Sequence, residues 1–216
     1  TGNGTFNFRT KSAATLASMK NPTIIATVSV SGRRVGESNV PESIASSVTR
    51  TIKVGTDLAL TAKALYSSGA FKNTGPWPPV ADQETTYTID LSLTNTVHSV
   101  ADTVVTGVLP SYVRYVGATS PADGSVSYNA ASRTVTWRAG EIASGAGFSA
   151  SARSAAFQVA LLPSASQRGT SPILMSSVKV MGTDRFTQKA LSLTRPEITT
   201  QITLDPGYIQ GKGEVR

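Results

Sequence analysis

Alternation with a period of two limits this chain more than any other feature. Tyr87, Ile89, Leu91 and Leu93 are interleaved with Thr88, Asp90, Ser92 and Thr94, the pattern of a strand with one buried and one wetted face. The same reading gives strands at Thr5–Arg9, Thr23–Ser31, Ser47–Val54, Leu58–Tyr66, Thr103–Leu109, Val113–Ala118, Ser125–Tyr128, Arg133–Trp137, Ala155–Leu161, Leu174–Met181 and Ile198–Leu204. Between them, Asp123-Gly124, Asn129 to Ser132 and Gly182 to Asp184 carry the glycines and short polar side chains that reversals require. Val126 and Tyr128 are expected to face Val135 and Trp137 across a short hairpin. Short strands about 8–12 residues apart, with no strong helical segment, predict an all-β antiparallel sandwich.

A second feature is an internal echo at a spacing of 150 positions. Pro22, Val28, Val30, Gly32, Thr49 and Ile52 recur as Pro172, Val178, Val180, Gly182, Thr199 and Ile202, and Ile24, Val48 and Val54 find Leu174, Ile198 and Leu204. Upstream, Phe6-Asn7-Phe8 answers to Phe157-Gln158-Val159 at an offset one residue larger. A period of that length suits a whole compact domain rather than a solenoid unit. The chain therefore reads as residues 1–54, the C-terminal half of one repeat; residues 55–204, a complete repeat; and residues 205–216, a connector. Ser12 to Lys20 is rich in Ala, Leu and Met, but its counterpart, Leu162 to Thr170, holds Pro163 and Gly169. Both are read as inter-strand connections with at most one helical turn.

Composition narrows the class. Charged residues are only 15% of the chain, and no run of 18 or more apolar residues occurs that a membrane-spanning helix would need. Cysteine is absent, which removes disulfides, thiolate metal sites and cysteine nucleophiles together. The formal charge is +7, but the 20 Lys and Arg residues are scattered, with Arg33-Arg34 the only adjacent pair. A nucleic-acid binder would concentrate them and interleave aromatics, so no nucleic-acid partner is expected.

Reactive constellations are sparse. His98 is the only histidine, so a two-histidine metal site is excluded and any triad would depend on this one residue. It lies in Thr96-Val97-His98-Ser99, read as a polar surface connection. No Gly-x-Ser-x-Gly elbow is present. Asp82 with Glu84, and Asp57 with Asp90, would form a carboxylate dyad or a calcium cluster only if folding brought them together. The segment Ser67 to Pro79, with Gly69, Gly75, Pro76, Pro78 and Pro79, breaks the alternation and carries Phe71 and Trp77. Trp77 is expected to plug one end of the sandwich rather than present itself to a ligand. No catalytic, cofactor or metal residue is assigned.

The frame Thr86-Tyr-Thr-Ile-Asp-Leu-Ser-Leu-Thr-Asn95, then Leu109-Pro110, Tyr115-Val116 and Val135-Thr-Trp137 with Gly140 and Gly145, resembles the Ig-like "domain of unknown function" repeat of large bacterial and archaeal cell-surface proteins. With Gly75 to Pro79 ahead and Phe157 to Val159 behind, it looks like the tandem domains of very large surface proteins in candidate-phyla bacteria. One departure stands out. Many members carry an acid two places before the Leu-Pro, where this chain has Gly107. The resemblance implies an Ig-like sandwich and a non-catalytic stalk, coat or fibre component outside the cell. Its partners would be neighbouring repeats or adjacent copies in a surface assembly.

The alternative is an adhesin-type module gripping a glycan or protein through loops at one sandwich end. A Lys-Asn isopeptide crosslink is also worth testing, with Lys63 and Asn95 as the pair and Glu84 or Asp90 as the shuttle. It would require a lysine and an acid buried side by side.

Overall fold

The computed structural model describes residues 11–33 and 43–216, together with Thr5, Asn7 and Arg9; the expected strand Thr5–Arg9 lies largely outside the described residues. A five-residue helix, α1 (Ala13–Ala17), is capped by the Ser12 hydroxyl, which accepts from the Thr15 N–H at 3.3 Å. Its echo counterpart holds a 3-10 turn at Ala165–Gln167.

All else that is regular is strand: β1 (Thr23–Arg33), β2 (Ser43–Lys53), β3 (Leu58–Leu65), β4 (Thr85–Asn95), β5 (Val100–Val108), β6 (Val113–Ser120), β7 (Val126–Asn129), β8 (Thr134–Ile142), β9 (Arg153–Leu161), β10 (Ile173–Asp184), β11 (Ala190–Thr194) and β12 (Ile198–Thr199). One sheet runs β3-β4-β9-β6, and the other β11-β10-β5-β8-β7 with β12 also on β10. Every pairing between these strands is antiparallel. β1 and β2 form a separate two-stranded sheet.

The alternation of β4 explains the packing. Tyr87, Ile89, Leu91 and Leu93 are almost wholly buried, and opposite them Trp137, Val105, Leu174, Val178 and Val180 fill the space from the second sheet. Such interdigitation of two inner faces is how a sandwich closes its core. Tyr87 is held so deeply that burial, with a smaller push from Tyr66, drives its phenol pKa well above the ordinary value. The expected β7–β8 hairpin forms with Val126 opposite Trp137 and Tyr128 opposite Val135. Asn129 Oδ1 accepts from the Ala131 and Ser132 N–H groups to turn it.

The outer face of β4 is also covered. Thr88 is buried beneath the Ser67 to Pro79 loop, where Asn73 Nδ2 donates to Thr88 Oγ1 at 3.1 Å and Thr74 N donates to Thr86 Oγ1 at 2.6 Å. Gly75, at φ +94°, lies against the Glu84 carbonyl, so no larger residue fits there. Gly107 packs against β10: a Cβ at that position would run into the Met175 side chain, which is itself 1% exposed, so no side chain has room there as the structure stands.

Because the strands lie nearly parallel or antiparallel, the sandwich has two poles. One holds the start of β3 and the ends of β4 and β10; the other holds the end of β3, the start of β4 and the end of β9.

Candidate functional site at the two poles of the sandwich

Two groups of buried polar side chains lie at these poles, each around one aspartate. At the first pole, Asp184 closes β10 and is fully buried. Its Oδ2 accepts from Thr56 N at 2.9 Å, just ahead of β3, and its Oδ1 accepts from Phe186 N at 2.8 Å and Thr187 N at 3.1 Å. Burial raises the pKa of this carboxyl, but the N–H groups of Thr56, Thr187 and Phe186 outweigh it and hold the group below the ordinary aspartate value.

Asn95, the last residue of β4, is equally buried and fully engaged. Its Oδ1 accepts from Thr56 Oγ1 at 2.6 Å, while Nδ2 donates to the carbonyls of His98 at 2.6 Å and Ala143 at 3.0 Å. Thr56 Oγ1 in turn accepts from Val97 N at 3.0 Å and His98 N at 3.2 Å. Thr56, Asn95 and Asp184 thus lock the entry to β3 onto both sheets. Outside this knot, Lys53 Nζ donates to the Phe186 carbonyl at 3.0 Å and sits 4.6 Å from its ring centroid, tying the end of β2 to the same pole.

His98 is not the surface histidine its polar neighbours suggest. It is 5% exposed, with Nδ1 3.6 Å from Asp184 Oδ2 and its ring 4.5 Å from that of Phe186. The backbone bonds from Thr56 and Asn95 draw residues 96–98 inward, and Phe186 covers the imidazole. No serine or threonine hydroxyl bonds to the ring, whose two nitrogens find no hydrogen-bond partner.

At the opposite pole Asp205 plays the corresponding part. It is 4% exposed and accepts from Tyr66 N at 2.7 Å, Ser67 N at 2.8 Å and Gly207 N at 2.8 Å, as well as from the Ser67 hydroxyl. Burial opposes ionisation here too, and the Ser67 hydroxyl with the three N–H groups overcomes it, lowering the pKa. Trp77 is half-buried beside this knot, its ring 4.8 Å from that of Tyr66 and 4.4 Å from Lys212 Nζ. Residues 205–216, the expected connector, pack along this pole. Val215 is 2% exposed, and Arg216 exchanges backbone bonds of 2.9 Å with Pro79 and Ala81.

The remaining sequence candidates do not converge. Lys63 faces Asp90 across the β3–β4 ladder, with Nζ 3.4 Å from Oδ2 and both side chains about a third exposed. Asn95 pairs with Leu58, five residues along the strand or roughly 17 Å away, and its amide is already committed. The Lys63–Asn95 crosslink is therefore excluded by register. Glu84 is held instead by Arg114 in a bidentate pair at 2.9 Å on the surface. Asp57 adjoins Asn95's end of the ladder, at the far end from Asp82 and well removed from Asp90. Among the described residues no three His, Asp or Glu side chains come together as metal ligands, and no helix is long and apolar enough to cross a membrane.

Comparison with known proteins adds little. No protein-family model matches the chain, and no curated protein matches it. Similar solved structures include BcpA, the major pilin subunit of Bacillus cereus, at TM-scores of 0.41 and 0.40 in two structures with 10% and 9% identity, covering 83% of this chain and 65% of that one. They also include the mu homology domain of Fcho1 from Danio rerio, at a TM-score of 0.37 and 12% identity, covering 74% of this chain and 52% of that one. This chain thus spans between half and two thirds of these proteins' length, and their functions do not pass to it at such scores.

Proposed function

We propose that this chain is a non-catalytic structural repeat of a large extracellular surface protein, a spacer within a stalk, coat or fibre, in keeping with the Ig-like surface repeat it resembles. The observation that carries this reading is the pinning of β3 at both poles by the buried carboxylates of Asp184 and Asp205, with Thr56 at one end of the sandwich and Arg216 at the other. A chain that runs from Thr56 at one pole to Arg216 at the other carries tension along the strands, and charge-assisted bonds at each pole hold the backbone where that tension arrives. The aromatic residues support the same reading against an adhesin. Trp137 is 1% exposed and Trp77 is wedged between Tyr66 and Lys212, so neither tryptophan is displayed at a loop tip.

The test is to join two, three and four copies of the chain head to tail and measure their dimensions by small-angle scattering. A spacer lengthens by a constant increment per copy, with a rod-like profile. Collapse into a compact particle would overturn the reading. So would saturable binding on a glycan array that Phe148→Ala, a change at an exposed aromatic, abolishes.

A further inference from the structure

The β1–β2 sheet has one apolar face that the described residues leave largely uncovered. Strict register pairs Ile24 with Ile52 and Val28 with Val48, so these side chains share a face with Val30. Val28 is 60% exposed, Val30 66%, Val48 51% and Ile52 51%. The opposite face is mostly polar, with Ser29, Ser47, Thr51 and a Thr27–Thr49 hydroxyl pair at 3.1 Å, and Ile25, 66% exposed, is its one large apolar side chain among the described residues.

Inside the same molecule the echo shows what covers such a face. β1 spans Thr23–Arg33 and, 150 positions on, β10 spans Ile173–Asp184. The counterparts of Ile24, Val28 and Val30 are Leu174, Val178 and Val180, all 0% exposed because the β3-β4-β9-β6 sheet lies across them. β10 also pairs along its other edge with β5, whereas among the described residues β1 pairs with β2 alone.

We propose that β1–β2 is the closing hairpin of a second sandwich, and that its apolar face and the free edge of β1 receive a polypeptide segment of the same kind as residues 55–150. A strand like β5 would pair with β1, and a sheet like that of β3 and β4 would cover Ile24, Val28, Val30, Val48 and Ile52. A second copy of the hairpin is too small an occupant. The exposed apolar area of this face is roughly 400 Å², on the order of the largest patch a monomer tolerates. Two such faces together bury about 800 Å², short of the roughly 1,200–2,000 Å² of a stable interface. The proposal rests on the reading of the chain as repeats, yet it fails separately, because it is read at the β1–β2 amides and not from the length of joined copies.

The experiment fuses a copy of residues 55–150 ahead of Thr1 and follows amide hydrogen exchange in the fused and parent chains, with molar mass measured by light scattering. The parent is expected to be monomeric, with rapid exchange throughout β1 and β2 at every concentration. The fused chain is expected to remain monomeric and to slow exchange in β1 and β2 at least a hundredfold. Val28→Asp with Val48→Asp is expected to reverse that gain without altering β4 or β9. A second fusion carrying Ile24→Leu, Val48→Ile and Val54→Leu brings the hairpin to the residues of its counterpart and guards against poor fit between diverged repeats. Unchanged exchange in both fusions overturns the proposal. So does a hairpin already protected in the monomeric parent, or a parent dimer that Val28→Asp dissociates.

Discussion

At the scale of single residues, two buried carboxylates organise the poles of the sandwich. Asp184 and Asp205 are each almost fully buried, and each accepts three backbone N–H bonds. Hydrogen bonds to a charged acceptor are worth about 1.5–3 kcal/mol, and a donor left buried without its partner costs a similar amount. Asp184→Asn or Asp205→Asn turns an amide NH2 toward at least one of those donors, so each is expected to lower stability by about 2–3 kcal/mol in urea titrations. Glu141→Gln, which alters only exposed contacts with Ser99 and Arg185, is expected to leave the midpoint nearly unchanged.

The pH dependence follows from the sign of the shifts. Both aspartates have folded pKa values below the unfolded one. Their contribution is therefore complete above the unfolded value of about 3.9 and is lost as pH falls through the folded pKa. Urea midpoints of the parent should fall between about pH 5 and pH 2, and the Asp184→Asn, Asp205→Asn double variant should fall less steeply over that interval. Equal slopes would show that the two carboxylates are not what acid attacks.

At the scale of elements, the contact between β5 and β10 decides which residue position 107 can hold. Gly107 presents bare backbone to Met175, so Gly107→Ala must displace a thioether that is itself buried. Overpacking of this kind costs about 1–3 kcal/mol. The coupling distinguishes this cause from a change in strand propensity. The loss on Gly107→Ala should shrink when measured in a Met175→Ala background, and a double-mutant cycle with zero coupling would refute the contact.

Alternation and turn chemistry place β4 and the β7–β8 hairpin, but the expected wet face of β4 is dry over its first half, because the Ser67 to Pro79 loop covers Thr86 and Thr88. β11 escaped notice because Ala190–Thr194 is an edge strand with mostly exposed side chains, so burial writes no pattern into it. The strand expected over Ile198–Leu204 shrinks to Ile198–Thr199, since the buried Thr200 hydroxyl bonds the Gly213 carbonyl at 2.6 Å and turns the chain under the pole. At the site, Asn95 could be expected to bond neighbouring backbone from its place at a strand end. Asp184 and Asp205 could not be foreseen in full. Asp184 has a local share, its bonds to Phe186 and Thr187, but its partner Thr56 is 128 residues away and Ser67 is 138 residues from Asp205. No short-range pattern encodes bonds of that reach.

At the scale of the whole molecule, the two sheet systems should yield to force in sequence. Among the described residues β1 and β2 pair only with each other, tied to the sandwich by Lys53 at Phe186, and a two-stranded hairpin alone is marginal in water. The sandwich is closed by a common core and pinned at both poles, so its strands cannot peel away before the buried carboxylates release. Held at its two termini in optical tweezers, the chain is expected to open first at low force, as the hairpin gives up about 30 residues or roughly 100 Å of slack. It should open again, in one cooperative step at distinctly higher force, as the sandwich releases about 160 residues or roughly 550 Å. Asp184→Asn and Asp205→Asn should each lower the second force and leave the first where it was, because neither carboxylate bonds to β1 or β2. If the sandwich opened in several small steps, or if the two variants left the second force unaltered, tension would be borne by the core alone. The polar knots would then serve only to shape the loops.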